Sequence, residues 1–333
     1  MHRLICLLAL TACATESLPV DLDPAEASSD GGKADGASAL PDVRCTGAPS
    51  VTSRGFRHRH NKLTAALGDA KHRGIDLVAT ADEGTQRIEA EVGYGAFDDG
   101  IDDEDIELFA CRAGAWKSLG VTRSKEHGAV ALELEDSDRM PLGLRDMYLA
   151  VRGDASGARF LAYVAPAGSS LAVSDVDGTL TPFEAAFAGD ALGLHVGIHD
   201  GAPAAFQTLA SRGLQPVYVT ARSRTSTAAT REWLEEHGMP RGPVRLAHGV
   251  LLPGSATVEY KTDTLRAFED FTLALGNGNR ASDIEAYTAA GIAPEHITIK
   301  LPEFTLEVKG PLDDGKALGF DHYDDLVPML DAN

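Results

Sequence analysis

The chain is predicted to be a β-sandwich followed by an α/β domain built on a parallel sheet. Two patterns predict this. From about residue 45 to 166, short segments alternate apolar and polar residues, with turn residues recurring every 8 to 14 positions. After Gly168, wholly apolar segments are separated by helical stretches, the signature of strands buried on both faces. A length of 333 residues with 44% hydrophobic content is enough to bury about two domain cores.

In chain order, the first segment is MHRLICLLALTAC. It has a basic Arg3, a short apolar run and small residues before Cys13, the layout of an export signal. The run is far shorter than the ~20 residues that span a bilayer. Leu10-Thr11-Ala12-Cys13 resembles a bacterial lipobox, which implies lipidation at Cys13 and residues 1–13 as a removed signal. By the same resemblance, Ala14 in place of Asp implies an outer-membrane lipoprotein facing the periplasm or the cell surface. Residues 14–44 are rich in Ala, Ser, Asp, Gly and Pro and read as a flexible tether between membrane and fold. Cys6 would leave with the signal, so Cys45 and Cys111 remain as an even pair in an oxidising compartment. A disulfide between them is one expectation. Two separate thiols are the other, because only the fold decides whether their Cβ atoms meet.

The β-sandwich, residues 45–166, is read from IDLVAT, QRIEAEVGYGA, DIELFACR, AWKSLGV, AVALELE, DMYLAVRG and ARFLAYVA. No catalytic constellation is visible there. The acidic run from Asp98 to Asp105 lacks the spacing of a calcium loop and reads as a solvated turn. His58, His60 and His72 read as surface residues. Residues 167–333 form the α/β domain, with strands at LAVSDV, QPVYVTA, PVRLA, FTLALGN and HITIK. In such a sheet the ligand sits at the carboxyl ends of the strands. Fifty acidic residues against 30 basic ones give a formal net charge of −20, which repels phosphate backbones and excludes nucleic acid as a general partner.

Four strand ends carry the candidate chemistry. In Ser174-Asp175-Val176-Asp177-Gly178-Thr179, Asp175 can act as nucleophile and Asp177 can give and take a proton, while Gly178 permits the turn. A carboxylate oxygen of Asp175 and the main-chain carbonyl of Asp177 suit magnesium, which prefers hard oxygen donors. Thr220, at the end of the second strand, can bind a phosphoryl oxygen. Arg222 either guides an anionic headgroup or braces the loop. Lys261, read as standing just before an amphipathic helix LRAFEDF, can neutralise charge between nucleophile and phosphate. In Gly276-Asn277-Gly278-Asn279-Arg280-Ala281-Ser282-Asp283, Asp283 either completes the magnesium shell or caps the next helix, and Asn279 can hold a metal-bound water.

The order DVDGTLT, YVTAR, Lys261, GNRASD resembles the haloacid-dehalogenase superfamily of magnesium-dependent phosphotransferases, and within it the lipin-type phosphatidate phosphatase domain. The narrower likeness rests on YVTAR with TREWLEEHGMPRGPV and on GNRASDIEAYTAAGI, over about residues 170–300. The upstream VGYGAFDDGIDDEDIELF and AWKSLGV also resemble the region before this domain in secreted or phosphoinositide-transfer relatives. The resemblance implies a Rossmann-like parallel sheet, a phosphoaspartyl nucleophile at Asp175, a general acid/base at Asp177, phosphate ligands Thr220 and Lys261, and a Mg2+ site completed by Asp283. It implies phosphatidate or another phosphomonoester as substrate, reached at a membrane surface through the N-terminal lipid. Some relatives bind phosphatidate without hydrolysis, often after losing a first-motif aspartate; both are kept here. The superfamily's fourth motif often begins Gly-Asp, whereas this chain has Gly278-Asn279, one negative charge fewer beside the metal. A non-catalytic phosphatidate-binding module and a phosphatase for soluble periplasmic monoesters are the alternatives. With only about 40 residues between the first two motifs, little chain is available for a large cap, so an open site is expected.

Overall fold

A computed structural model describes residues 40–184, 196–249, 251 and 254–332. Cys13, the export signal, most of the tether (14–39) and residues 185–195 between the first two motifs lie outside the described residues.

The first part contains β1 (Asp42–Val43), α1 (Arg59–Ala66), β2 (Arg73–Ile75), β3 (Leu77–Thr80), β4 (Thr85–Glu91), β5 (Gly93–Tyr94), β6 (Asp99–Gly100), β7 (Asp105–Arg112), β8 (Ala115–Arg123), β9 (Ala129–Glu135), β10 (Gly143–Val151) and β11 (Gly157–Ala165). One sheet runs β3-β11-β10-β7-β8, with β1 added in parallel to the start of β10, and the facing sheet is β2-β4-β9. Alternation along these strands points Ile88, Ile106, Leu108, Met147, Leu149 and Phe160 into the space between the sheets. The tether boundary at residue 44 needs correction. Asp42 and Val43 pair with Leu144 and Arg145, so the sandwich begins before Cys45. Two residues are too short to leave a periodic signal.

Asp76 divides the predicted IDLVAT strand into β2 and β3. Its buried carboxylate accepts from the Leu161 and Val244 amides, both at 2.7 Å, and from Arg231 Nη2 at 2.9 Å. His72 is buried rather than on the surface. Its Nε2 lies 2.8 Å from Ser156 Oγ and its ring meets Tyr94 edge-on, although Lys71 and Arg73 beside it suggest solvent. The acidic run is not wholly solvated either. Glu104 is buried and takes the Arg57 and His58 amides, and His58 Nε2 lies 2.9 Å from Asp103.

The second part contains β12 (Ser170–Ser174), α2 (Ala202–Ser211), β13 (Gln215–Ser223), α3 (Thr227–Glu236), β14 (Val244–Ala247), α4 (Ser255–Arg266), β15 (Thr272–Gly278), α5 (Ala281–Ala289), β16 (Ile297–Lys300), α6 (Thr305–Asp313), β17 (Leu318–Phe320) and α7 (Tyr323–Asp331). The sheet order is β14-β13-β12-β15-β16-β17 and every pairing is parallel, as the apolar runs require. One face, with Ala172, Tyr218 and Leu275, packs on α2, α3 and α7 through Phe206, Trp233 and Leu326. The other, with Leu171, Val173, Val217 and Val219, packs on α4, α5 and α6 through Leu265, Tyr287 and Val308.

The described residues belong to one compact unit, and β11 within it is buried on both faces. Phe160, Ala162 and Val164 face the sandwich core, while Leu161, Tyr163 and Ala165 join the core of the α/β sheet. Arginines of the second part bind carboxylates of the first around this seam. Arg231 holds Asp76, and Arg241 binds both Asp42 and Asp146. Cys45 and Cys111 are disulfide-bonded, with Cα atoms 5.7 Å apart. Among the described residues, no helix is long and apolar enough to cross a membrane.

Candidate active site at the strand ends

The carboxyl ends of β12, β13 and β15 meet α4 at one point. Asp175 directly follows β12, and its amide donates to the Asn277 carbonyl of the neighbouring strand at 2.9 Å. The carboxylate is therefore fixed by the sheet itself. Lys261 Nζ stands 2.9 Å from Asp175 Oδ1 and donates to Asp283 Oδ1 at 2.6 Å. All three side chains are under a tenth exposed. Burial raises the Asp175 carboxyl to about 7, the neighbouring Asp283 and Asp177 push the same way, and Lys261 opposes them. Burial works against the charge on Lys261, but the two carboxylates outweigh it and hold its pKa well above the ordinary value.

Lys261 is inside a helix, not before one. α4 begins at Ser255, immediately after Gly254, and Thr257, Lys261 and Leu265 form its buried face at four-residue spacing. That face carries a threonine and a lysine where an apolar stripe is expected, so periodicity alone starts the helix too late.

Asp177 lies across the site from Lys261. Arg222 Nη2 donates to its Oδ1 at 2.6 Å and Nε to its Oδ2 at 2.8 Å. Thr220 Oγ1 donates to the same Oδ2 at 3.3 Å. In this arrangement the Asp177 carboxylate is an acceptor at both oxygens. Arg222 thus braces the first-motif loop, one of the two roles open from the sequence. It reaches inward because the β13–β14 register slips between Thr220 and Ser223, a bulge that re-aims the side chains within it.

Asp283 is not the N-cap, which is Arg280, but the third residue of α5, reaching back to the helix start as in a capping box. Its Oδ2 accepts the amides of Asn279 and Arg280, each at 3.0 Å, while Oδ1 takes Lys261. The buried side chain of Asn279 links Thr179 and Glu184: its Oδ1 accepts from Thr179 Oγ1 at 3.2 Å and its Nδ2 donates to Glu184 at 3.1 Å. Thr179 also donates to Asp175 Oδ2 at 3.3 Å. Gly178 turns the loop at φ 68°, and a Cβ there would run into the Asn279 amide. Beneath the site, Tyr323 donates to the Thr179 carbonyl and Asn277 donates to Ser174 and Tyr323, a buried network that stiffens the first motif.

Two carboxylates escaped the sequence reading. Glu184 sits beside Asn279, and its amide donates to both oxygens of Glu303 at 3.0 and 3.1 Å. Burial raises the Glu184 carboxyl, partly offset by Asn279 and Arg280. Glu184 lies only three residues beyond Thr181 of the first motif, which was the available signal. Glu303 follows the β16 strand end and had none.

Among the described residues, no group of three His, Cys, Asp or Glu side chains is arranged to hold a metal ion. The charge around the site nonetheless suits a hard divalent cation. Asp175, Asp177, Glu184, Asp283 and Glu303 outnumber Lys261, Arg222 and Arg280 within this contact network, so a phosphate dianion arriving alone meets a net negative site.

Residues 70–164 match the family model described as PITM 1-3, beta-sandwich domain, and residues 172–300 match that of the PITM 1-3, LNS2 domain. Each model covers less than half of the chain, and together they describe a β-sandwich followed by a domain similar to LNS2. The LNS2 domain is of the haloacid-dehalogenase-like class, which agrees with the sheet and strand-end site above. The chain is 24% identical over 257 residues to the membrane-associated phosphatidylinositol transfer protein 2 of Mus musculus, covering 75% of this chain and 19% of that protein. It is 24% identical over 240 residues to the protein retinal degeneration B of Drosophila melanogaster, covering 69% and 18%. The chain therefore spans about a fifth of the length of these relatives. Among solved structures, a putative beta-phosphoglucomutase from Thermotoga maritima aligns over 49% of this chain and 99% of that one, at 13% identity and a TM-score of 0.35, too slight a likeness to carry an argument.

Proposed function

We propose that the LNS2 domain hydrolyses a phosphomonoester, with phosphatidate as the first candidate, through a phosphoaspartyl intermediate on Asp175. The observation that carries this reading is the buried Lys261 between Asp175 and Asp283, opposite Asp177 and Thr220. A site kept only for rigidity gains little from burying three charges at one strand edge.

In the reaction, a carboxylate oxygen of Asp175 attacks phosphorus as the ester P–O bond breaks. Asp177 gives its proton to the leaving alkoxide. Water then attacks the phosphoaspartate, Asp177 takes a proton from that water, and phosphate leaves with the Asp175 carboxylate restored. Lys261 and Thr220 hold the transferring oxygens. Magnesium would be held by the Asp175 carboxylate and the Asp177 main-chain carbonyl, with Asn279 and Asp283 behind them, and would neutralise the phosphoryl charge. Arg222 must release Asp177, and the freed carboxylate must take up a proton from solvent, before the first proton transfer; the incoming dianion is the natural competitor for the guanidinium.

Binding without turnover is the second reading, favoured by that same Arg222–Asp177 pair, which engages both Asp177 oxygens as acceptors. It also fits relatives named as phosphatidylinositol transfer proteins. The buried Cys45–Cys111 bond supports the further proposal that the chain works in an oxidising, exported location, with Cys13 as its lipid anchor.

The test is phosphate release with and without magnesium, from phosphatidate in mixed micelles and from soluble monoesters, with Asp175→Asn as control. Magnesium-dependent release from phosphatidate that the control lacks supports hydrolysis. Tight phosphatidate binding with no release from any ester replaces it with the binding reading.

A further inference from the structure

The loop that carries Thr220 and Arg222 is not held by its own domain alone. Where β13 and β14 slip register, Thr220 pairs with Leu246 and Ser223 with the very next residue, Ala247, so Ala221 and Arg222 bulge out of the ladder. Bulged residues lack ladder hydrogen bonds, and their geometry depends on what fixes the chain at either end. The near end is fixed by Thr220, whose Oγ1 accepts the Arg222 amide at 3.3 Å. The far end is fixed from the β-sandwich. Arg224 Nη1 donates to Glu91 Oε1 at 2.8 Å, and Arg224 Nε donates to the Leu246 carbonyl at 3.3 Å.

Glu91 ends β4, 133 residues from Arg224 in sequence. Its other oxygen takes Arg73 Nε at 2.6 Å, and its side chain is 13% exposed. Burial alone would raise its carboxyl, but Arg73 and Arg224 outweigh burial and hold it below the ordinary carboxylate range. Glu91 is thus already oriented within the sandwich by Arg73 and presents one free edge to the loop. His248 Nε2 also stands 3.9 Å from Glu91 Oε1, and the other seam carboxylates lie elsewhere. Asp76 takes the amide of Val244 at the start of β14, the end opposite the site, and Arg241 precedes that strand. These dock the two parts, and Glu91 alone among these seam carboxylates reaches the strand-end loop.

We infer that the β-sandwich sets the geometry of the phosphate-facing loop, with Glu91 and Arg224 as positioning residues for Thr220 and Arg222. The inference rests on the reading of that loop as the phosphate-recognition element, and it gives the sandwich a role in the site without contact with the substrate.

The test uses the full chain with Glu91→Gln, Arg224→Gln and both together. Hydrogen exchange of the amides at 220–224 is followed with no ligand, and KM and kcat are measured on phosphatidate in mixed micelles. Either single change is expected to speed loop exchange about tenfold, the scale of one lost charge-assisted bond. The double change adds little beyond Arg224→Gln, since that change already breaks the Arg224–Glu91 pair and the Leu246 bond is lost with Arg224 in both. KM rises with kcat less affected, and the melting temperature moves little. Arg224→Gln leaves the Arg73–Glu91 pair in place and keeps the test interpretable if Glu91→Gln folds poorly. Loop exchange unchanged in Arg224→Gln, or additive effects in the double variant, overturns the inference. If the parent chain neither binds nor cleaves phosphatidate, the functional reading falls, and the exchange measurement still decides the positioning role.

Discussion

Arg222 grips Asp177 by both oxygens, at 2.6 and 2.8 Å, at the one place where the proposed chemistry needs a proton donor. The pair defines a resting arrangement that substrate must open. If the dianion draws Arg222 away, Arg222→Gln removes a phosphate ligand, and KM for phosphatidate is expected to rise about tenfold or more, the scale of a charge-assisted bond pair. An unchanged KM with a higher kcat would show instead that Arg222 restrains Asp177 and never binds phosphate.

Asp175 carries a cost in stability. Its carboxyl titrates near 7 in the fold, against 3.8 for the ordinary group, chiefly because it is buried. The folded state therefore holds this proton more tightly than the unfolded chain. The associated stability is fully present below about pH 3.8 and is lost as pH rises toward 7. Asp175→Asn is expected to raise the melting temperature at pH 8 in the absence of divalent metal, by roughly a few degrees. The advantage should shrink as the buffer is taken toward pH 5. A variant less stable than the parent at pH 8 would mean that Lys261 depends on Asp175 more than on Asp283.

The disulfide sits on the seam between the two parts. Cys45 donates its amide to Asp146, the same carboxylate that Arg241 binds, and the bond closes a separation of 66 residues. Its loss is expected to cost about 2–5 kcal/mol. Chemical denaturation with and without reductant, beside Cys45→Ser, measures this. A midpoint indifferent to reductant would show that the seam's ion pairs hold the domains without it.

The fold was largely legible because both parts obey simple periods. DIELFACR and AVALELE coincide with β7 and β9, and the apolar runs after Gly168 coincide with strands of the parallel sheet to within a few residues. What stayed hidden depends on contacts between distant residues. Asp76 breaks a predicted strand because its carboxylate is claimed by Val244 and Arg231, 155 or more residues away. The sandwich and the α/β part pack against each other through β11, whose two apolar faces belong to two cores, which alternation alone does not require. In the site, Asp175, Asp177, Thr220, Lys261, Asn279 and Asp283 converge as the strand-end rule predicts. The partners of each were not readable. Asp283 spends both oxygens on Lys261 and on the helix start, and Asn279 donates to Glu184. Such choices are made by side-chain geometry, on which the motif is silent.

The proposed hydrolysis turns on covalent phosphorylation of Asp175. Rapid acid quench after mixing the full chain with magnesium and a phosphomonoester labelled in its phosphoryl group tests it most directly. The expected product is a labelled, hydroxylamine-sensitive acyl phosphate that maps to Asp175 and is absent from Asp175→Asn. Saturable phosphatidate binding with no label on the protein at any time would contradict it.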